Sequence, residues 1–223
     1  MSRWICCSIL VLAFAGYLRA QKAINCVVVM QYTPDTSEKD IANNQDLLES
    51  ANTLAKALGA DTEIGKVTST VKLQAVFDAF AKGKRCCKTI VIVSHGGTNG
   101  ALDMPYDLPK ADELPERDKG MARELGGPAG KTGWGGDRLD EFAKAVKKLF
   151  CPDLKPVVSF DGCYTAKEGG IAEQVAARGI GTTGYTGSCD FGYLENETTR
   201  EKKWPGPRPK EGTSSQKKSY PPK

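Results

Sequence analysis

The 223-residue chain has a single histidine, and that scarcity removes several chemistries before any motif is read. A zinc site built on imidazoles is out of reach. The cysteines do not replace them, because those beyond the N-terminal apolar stretch are scattered and their one adjacent pair, Cys86-Cys87, is geometrically poor for chelation; neither a metal nor any other cofactor is expected. A long hydrophobic run is also missing. The apolar stretch from Trp4 to Ala15 falls short of the ~20 residues that span a bilayer, so no stable membrane insertion is expected. In "MSRWICCSILVLAFAGYLRAQKA" that stretch follows a basic start and precedes small residues at Ala13, Ala15, Ala20 and Ala23. This is the pattern of a secretory signal peptide, residues 1–20, with cleavage after Ala20 preferred and an uncleaved anchor as the alternative. The protein is accordingly expected to be secreted or periplasmic.

Positive charge is lacking where a nucleic-acid-binding core would need it. Residues 200–223 carry eight Lys or Arg against two Glu, so the +4 of the whole chain leaves a balance of −2 before residue 200. No nucleic-acid partner is expected for the folded part. The segment "TREKKWPGPRPKEGTSSQKKSYPPK" is rich in Pro, Lys and Ser and reads as a disordered basic tail over 200–223, either solvated or attached to an acidic surface.

What is present is an alternation. With 40% apolar residues the chain can bury one domain, taken as residues 21–199. "INCVVVMQY" reads as a strand, and "KDIANNQDLLESANTLAKAL" as a helix stopped by Gly59. "ADTEIGKV" reads as a short edge strand, "STVKLQAVFDAFAKG" as an amphipathic helix closed by Gly83, and "KTIVIVSHGG" as a buried strand. Residues 98–137 are long, polar and glycine-rich, as functional or flexible loops are, and mark a site for a lid or for self-cleavage. "DRLDEFAKAVKKLF", "KPVVSF", "EGGIAEQVAARG" and "IGTTGYTG" then supply helix, strand, helix and strand. The pattern predicts an α/β fold, a three-layer α/β/α sandwich with a mostly parallel sheet.

The histidine stands at the end of its strand, before two glycines that let the chain turn. In open α/β sheets the carboxyl ends of strands form the rim where ligands bind. "VVSFDGCYTAKEGG" places Cys163 at the end of a second buried strand, where the chain is expected to turn into a helix. Imidazole and thiol at one sheet edge suit nucleophilic catalysis: His95 acts as general base and acid, and a helix N-terminus lowers the pKa of Cys163. Backbone N–H groups after His95 and at Cys163 can hold a developing oxyanion, and Gly96 and Gly97 let a substrate carbonyl approach.

At these residues the sequence resembles the caspase-like (clan CD) cysteine peptidases, with an apolar strand ending in His-Gly, a spacer, and a second apolar strand ending in Cys. The order of elements over residues 24–165 follows the large-subunit half of that fold, in the manner of minimal bacterial relatives and CHAT-type domains. The resemblance implies a Cys–His dyad peptidase with His95, Cys163 and the oxyanion donor Gly96 as catalytic groups, acting on a protein or peptide substrate. Gly97, Asp161 and Asp190 are the expected substrate-binding positions. Asp161-Gly162 and Tyr164 flank Cys163 in place of the caspase residues, so specificity for Asp is not implied. Asp103, Asp107 and Asp190 are either solvated loop carboxylates or an acidic pocket for basic residues, as in the Arg/Lys-specific relatives. The alternative function is a catalytically inactive secreted binding module on the same scaffold.

Rival chemistries fail on inventory. An esterase of the α/β-hydrolase type, suggested by "HGG", needs a histidine after its nucleophile, and none follows residue 95. "GGPAGKTG" lacks the preceding strand and the spacing of a phosphate-binding loop. Trp134 is a loop anchor or a substrate platform, and Asn196-Glu197-Thr198 is a glycosylation sequon in a eukaryotic source. Topology sorts the remaining cysteines: Cys26, Cys86, Cys87 and Cys151 lie at the amino end of the sheet. Cys26 and Cys151 are each expected to bridge to one member of the adjacent pair, vicinal geometry allowing two such bridges or only one. Cys163 and Cys189 share the opposite rim, where the nucleophile is either free or lost to a bridge between them.

Overall fold

A computed structural model describes residues 21–31, 38–68, 73–103, 124–125 and 135–223. The expected signal peptide, Asp107, Trp134 and the "GGPAGKTG" stretch lie outside the described residues, as does the side chain of Asp103. In chain order the elements are β1 (Lys22–Met30), α1 (Glu38–Leu58), β2 (Thr62–Val67), α2 (Leu73–Ala81), β3 (Arg85–Val93), β4 (Leu102–Asp103) and β5 (Glu124–Leu125). There follow α3 (Gly135–Leu149), β6 (Val157–Asp161), α4 (Ile171–Ala176) and β7 (Gly181–Tyr185). The chain ends with the two-residue strands β8 (Cys189–Asp190), β9 (Leu194–Glu195), β10 (Lys202–Lys203) and β11 (Arg208–Pro209), and then β12 (Lys217–Tyr220).

The long apolar strands make a six-stranded sheet in the order β12-β7-β6-β3-β1-β2. Every pairing among β2, β1, β3, β6 and β7 is parallel, and β12 alone runs antiparallel, on β7. Side chains alternate across a strand, so β1 divides its residues between two cores. Ile24, Cys26, Val28 and Met30 join Ile90, Ile92, Val158 and Phe160 against the apolar stripes of α2, α3 and α4. Val27 and Val29 join Val91 and Val93 on the other face, against Leu47 and Ala51 of α1. The helices form because their apolar residues recur at helical spacing. Leu73, Val76, Phe77 and Phe80 line one side of α2, and Leu139, Phe142, Val146 and Leu149 one side of α3. The chain is thus an α/β protein with a mostly parallel central sheet and helices packed on it.

Residues 200–223, expected to be a disordered tail, are part of the fold. The segment crosses the α1 face, where Trp204 packs on Tyr193 with ring centroids 5.5 Å apart and donates through Nε1 to Asp46 at 3.2 Å. It then enters the sheet as β12, whose Tyr220 hydroxyl donates to the Ala166 carbonyl at 2.9 Å. Composition misled because an antiparallel edge strand draws its order from main-chain pairing and can leave one face in water, so it needs little apolar content. Residues 200–223 therefore pack with α1 and with the central sheet.

Among the described residues no helix is long and apolar enough to cross a membrane. The four amino-end cysteines pair as Cys26–Cys87 and Cys86–Cys151, with Cα–Cα distances of 5.8 and 4.8 Å. Successive residues of a strand point to opposite faces, so the neighbours Cys86 and Cys87 reach different partners.

Candidate active site

Strand register brings His95 and Cys163 together. β3 and β6 pair in parallel with Ile90 opposite Val158 and Val93 opposite Asp161, and the same register continued two residues past the strand ends sets position 95 beside position 163. Val91, Val93 and residue 95 alternate to one face, as do Ser159, Asp161 and residue 163, which is the α1 side of the sheet. Cys163 packs against the core cluster on that side, and the His95 ring meets the edge of Phe191, a member of that cluster, at 6.0 Å between centroids. The two strand ends touch through backbone. A Cβ on Gly96 would stand 2.0 Å from the Cys163 carbonyl oxygen, and one on Gly162 would stand 2.8 Å from the Ser94 carbonyl oxygen. Only glycine fits at 96. Gly96→Ala is expected to wedge the strand ends apart, costing about 1–3 kcal/mol of stability and most of any activity that depends on Cys163, measured by urea unfolding alongside probe labelling of the thiol. Unchanged labelling would show that this contact does not set the site.

The surroundings of Cys163 differ from the expected helix N-terminus. The next helix, α4, starts at Ile171, and the intervening residues form turns. What acts on the sulfur is Cys189 of β8. The Cys189 N–H donates to Cys163 Sγ at 3.0 Å, Cys163 Sγ reaches the Cys189 carbonyl at 3.3 Å, and the two sulfurs lie 2.6 Å apart. Hydrogen bonding to the Cys189 side chain, opposed by burial, brings the Cys163 thiol down from its ordinary 9.0 to about 7. The same contact, joined by burial and by the charge of Cys163, pushes the Cys189 thiol up. Tyr164, directly after Cys163, has φ of 59°, a left-handed conformation unusual for a bulky residue. It is held there by its N–H to the Gly187 carbonyl at 2.9 Å and its hydroxyl against Ser188 Oγ at 3.0 Å. Strain of this kind collects at functional sites.

Of the two glycines after His95, Gly97 has its amide committed to the Ala101 carbonyl at 3.0 Å. Among the described residues neither the Gly96 nor the Cys163 amide donates to another backbone group outside the strand ladders.

Two expected substrate-binding residues are already engaged by the chain itself. Asp161 is only 2% exposed, accepts from Ser159 Oγ at 2.7 Å and pairs with Lys217 Nζ at 3.0 Å. It is a buried, paired carboxylate and not an open binding group. Lys217 also lies 5.5 Å above the Tyr185 ring, whose hydroxyl donates to the Pro207 carbonyl at 2.7 Å. Burial, reinforced by Asp161 and the two cysteines, pushes the Tyr185 phenol up, so it stays neutral. Asp190 receives Arg208 Nη2 at 2.6 Å, on a two-residue antiparallel pairing that sets Arg208 opposite Asp190 and Pro209 opposite Cys189. Cys189, Tyr185, Lys217 and Arg208 were missed as site residues. Cys189 had a signal, being the other cysteine on this rim; Lys217 and Arg208 had none, because they sit in a segment of disordered composition.

Lys217→Ala leaves the buried Asp161 carboxylate without its cation and is expected to lower stability by about 1–3 kcal/mol, less than for a wholly enclosed pair because the lysine is half-exposed. In a double-mutant cycle with Asp161→Asn the loss should shrink; full additivity would deny the pairing.

Away from the rim, a groove of about 580 Å³ along α3 is lined by Asp140, Lys144, Lys147, Lys148 and Arg178 and holds no cysteine, serine or histidine. Among the described residues no group of acidic, histidine or cysteine side chains is arranged to hold a metal ion. Comparison of the chain with family models, with curated proteins and with solved structures found no match.

Proposed function

We propose that this chain is an exported cysteine peptidase of caspase-like architecture that hydrolyses peptide bonds through a Cys163–His95 dyad. The observation that carries the reading is the register: β3 and β6 end side by side, the same offset carried two residues on sets positions 95 and 163 beside each other, and both side chains meet the α1-side cluster. In the reaction the Cys163 thiolate attacks the scissile carbonyl carbon, and the resulting oxyanion lies against the N–H groups of Gly96 and Cys163. His95 gives a proton to the departing amine, then takes one from the water that hydrolyses the thioester. A thiol near pKa 7 is substantially ionised at neutral pH, so the nucleophile does not wait on a strong base. No cofactor enters any step.

The substrate class favoured is a peptide with Arg or Lys before the scissile bond. Asp190 adjoins Cys189 and already holds a guanidinium, that of Arg208, at 2.6 Å. A substrate side chain would take the same carboxylate after displacing Arg208.

Acyloxymethyl-ketone probes with Arg, Lys, Asp or Leu at the position before the reactive ketone test this directly. Labelling of Cys163 by the basic probes, mapped by mass spectrometry, is the expected result. Labelling of another residue, or of none, would leave a binding module on this scaffold as the function.

A further inference from the structure

We propose that Cys163 and Cys189 form a thiol–disulfide exchange site, which takes up a small disulfide such as glutathione disulfide and closes a reversible bridge over the nucleophile. The gating of hydrolysis by that bridge rests on the peptidase reading above; the exchange chemistry does not.

The geometry of the pair differs from that of the other four cysteines among the described residues. Those four are joined at the amino end of the sheet, whereas Cys163 and Cys189 are free thiols at the carboxyl-end rim. Their sulfurs stand 2.6 Å apart, well inside the separation at which unbonded sulfur atoms rest. The approach is enforced from several directions. The Cys189 amide and carbonyl both engage Cys163 Sγ, the Tyr164 N–H binds Gly187, and β11 pins β8 from its other side through Pro209 opposite Cys189. A bridge therefore needs only a small movement of either side chain.

The two thiols are unequal in access, and this sets the order of events. Cys163 is half-buried and Cys189 is buried at 9% exposure, so an incoming disulfide meets Cys163. The Cys163 thiolate attacks one sulfur of the disulfide; that S–S bond breaks, and one thiolate leaves and takes a proton from solvent. Cys189, losing its own proton to solvent, then attacks Cys163 Sγ and expels the second thiolate, which is protonated in turn. In total two protein thiols and one small disulfide become one protein disulfide and two small thiols, with two electrons passing to the small molecule. The chief influence holding the Cys189 proton is its hydrogen bond to Cys163, which the first step removes, so the resolving thiol is released when it is needed.

The test uses the full exported chain equilibrated in glutathione buffers running from reduced to oxidised, quenched with acid, alkylated and mapped without reduction. The expected result is a Cys163–Cys189 bridge that forms and reopens across the series while Cys26–Cys87 and Cys86–Cys151 persist. Cys189→Ser should instead stop at a glutathione adduct on Cys163. A wild-type protein that stops at this adduct, or whose Cys163 stays fully alkylatable in the oxidised buffer, overturns the proposal. Peptide hydrolysis is read in the same samples. Hydrolysis that persists after the bridge has formed overturns the gating, and a reversible bridge in a protein that never hydrolyses peptides upholds the exchange site while removing the peptidase reading.

Discussion

Cys163→Ala and His95→Ala are each expected to lower kcat/KM for peptide hydrolysis by a factor on the order of 10⁴ or more, and to shift the free energy of unfolding by no more than about 1–2 kcal/mol. The asymmetry follows from where the two side chains sit. Both lie beyond the last residues that β3 and β6 pair with each other, and neither fills the centre of a core. Cys163 packs on the α1-side cluster as a partly buried side chain, and the His95 ring meets the edge of Phe191 there. Chemistry, by contrast, loses its nucleophile or its proton carrier outright. Kinetics beside urea unfolding checks both halves, and hydrolysis that survives Cys163→Ala removes the dyad. In the wild-type protein the rate of Cys163 alkylation should rise with pH around a midpoint near 7, because lowering the thiol from 9.0 to about 7 makes the thiolate the major species above that pH and the minor one below it. A midpoint at the ordinary thiol value would mean that Cys189 does not act on it.

Removing either amino-end bridge by paired Cys→Ala replacement, Cys26 with Cys87 or Cys86 with Cys151, is expected to cost about 4 kcal/mol in the chain-entropy picture. The bridges span 61 and 65 residues of sequence, long loops whose closure restricts the unfolded chain strongly. Cys26 and Cys87 are also wholly buried in the larger core, so their removal adds a packing loss there. Marginal domains have only about 5–15 kcal/mol in hand, so losing both bridges should leave the chain largely unfolded at 37 °C. Denaturant unfolding of each paired variant measures this, and unchanged midpoints would mean that the bridges are incidental to stability.

Much of the layout could be read from residue order because period and punctuation are local properties. The apolar run ending at Val93 and the one ending at Phe160 announced two buried strands, and Gly59 and Gly83, with φ of 99° and 76°, marked helix ends where the chain turns left-handed. Parallel topology then sent the reactive residues to one rim and four cysteines to the other, which was enough to limit who could bridge to whom. The part misjudged was the C-terminal segment, where a Lys- and Pro-rich composition carries no hydrophobic period. Its order comes from partners far away in sequence: the β7 edge, the Asp161 carboxylate, the Asp190 carboxylate and the face of α1.

Residue order alone sets the α/β alternation, the candidate dyad and the division of cysteines between the two ends of the sheet, since each follows from where a residue falls within its own strand or helix. Folding in three dimensions is what sets Cys189, and not a helix N-terminus, against Cys163, pairs the buried Asp161 with Lys217, and brings Arg208 onto Asp190. Each of these is a contact between segments brought together by strand order, and burial and charge pairing across such distances leave no periodic trace in the residues that make them.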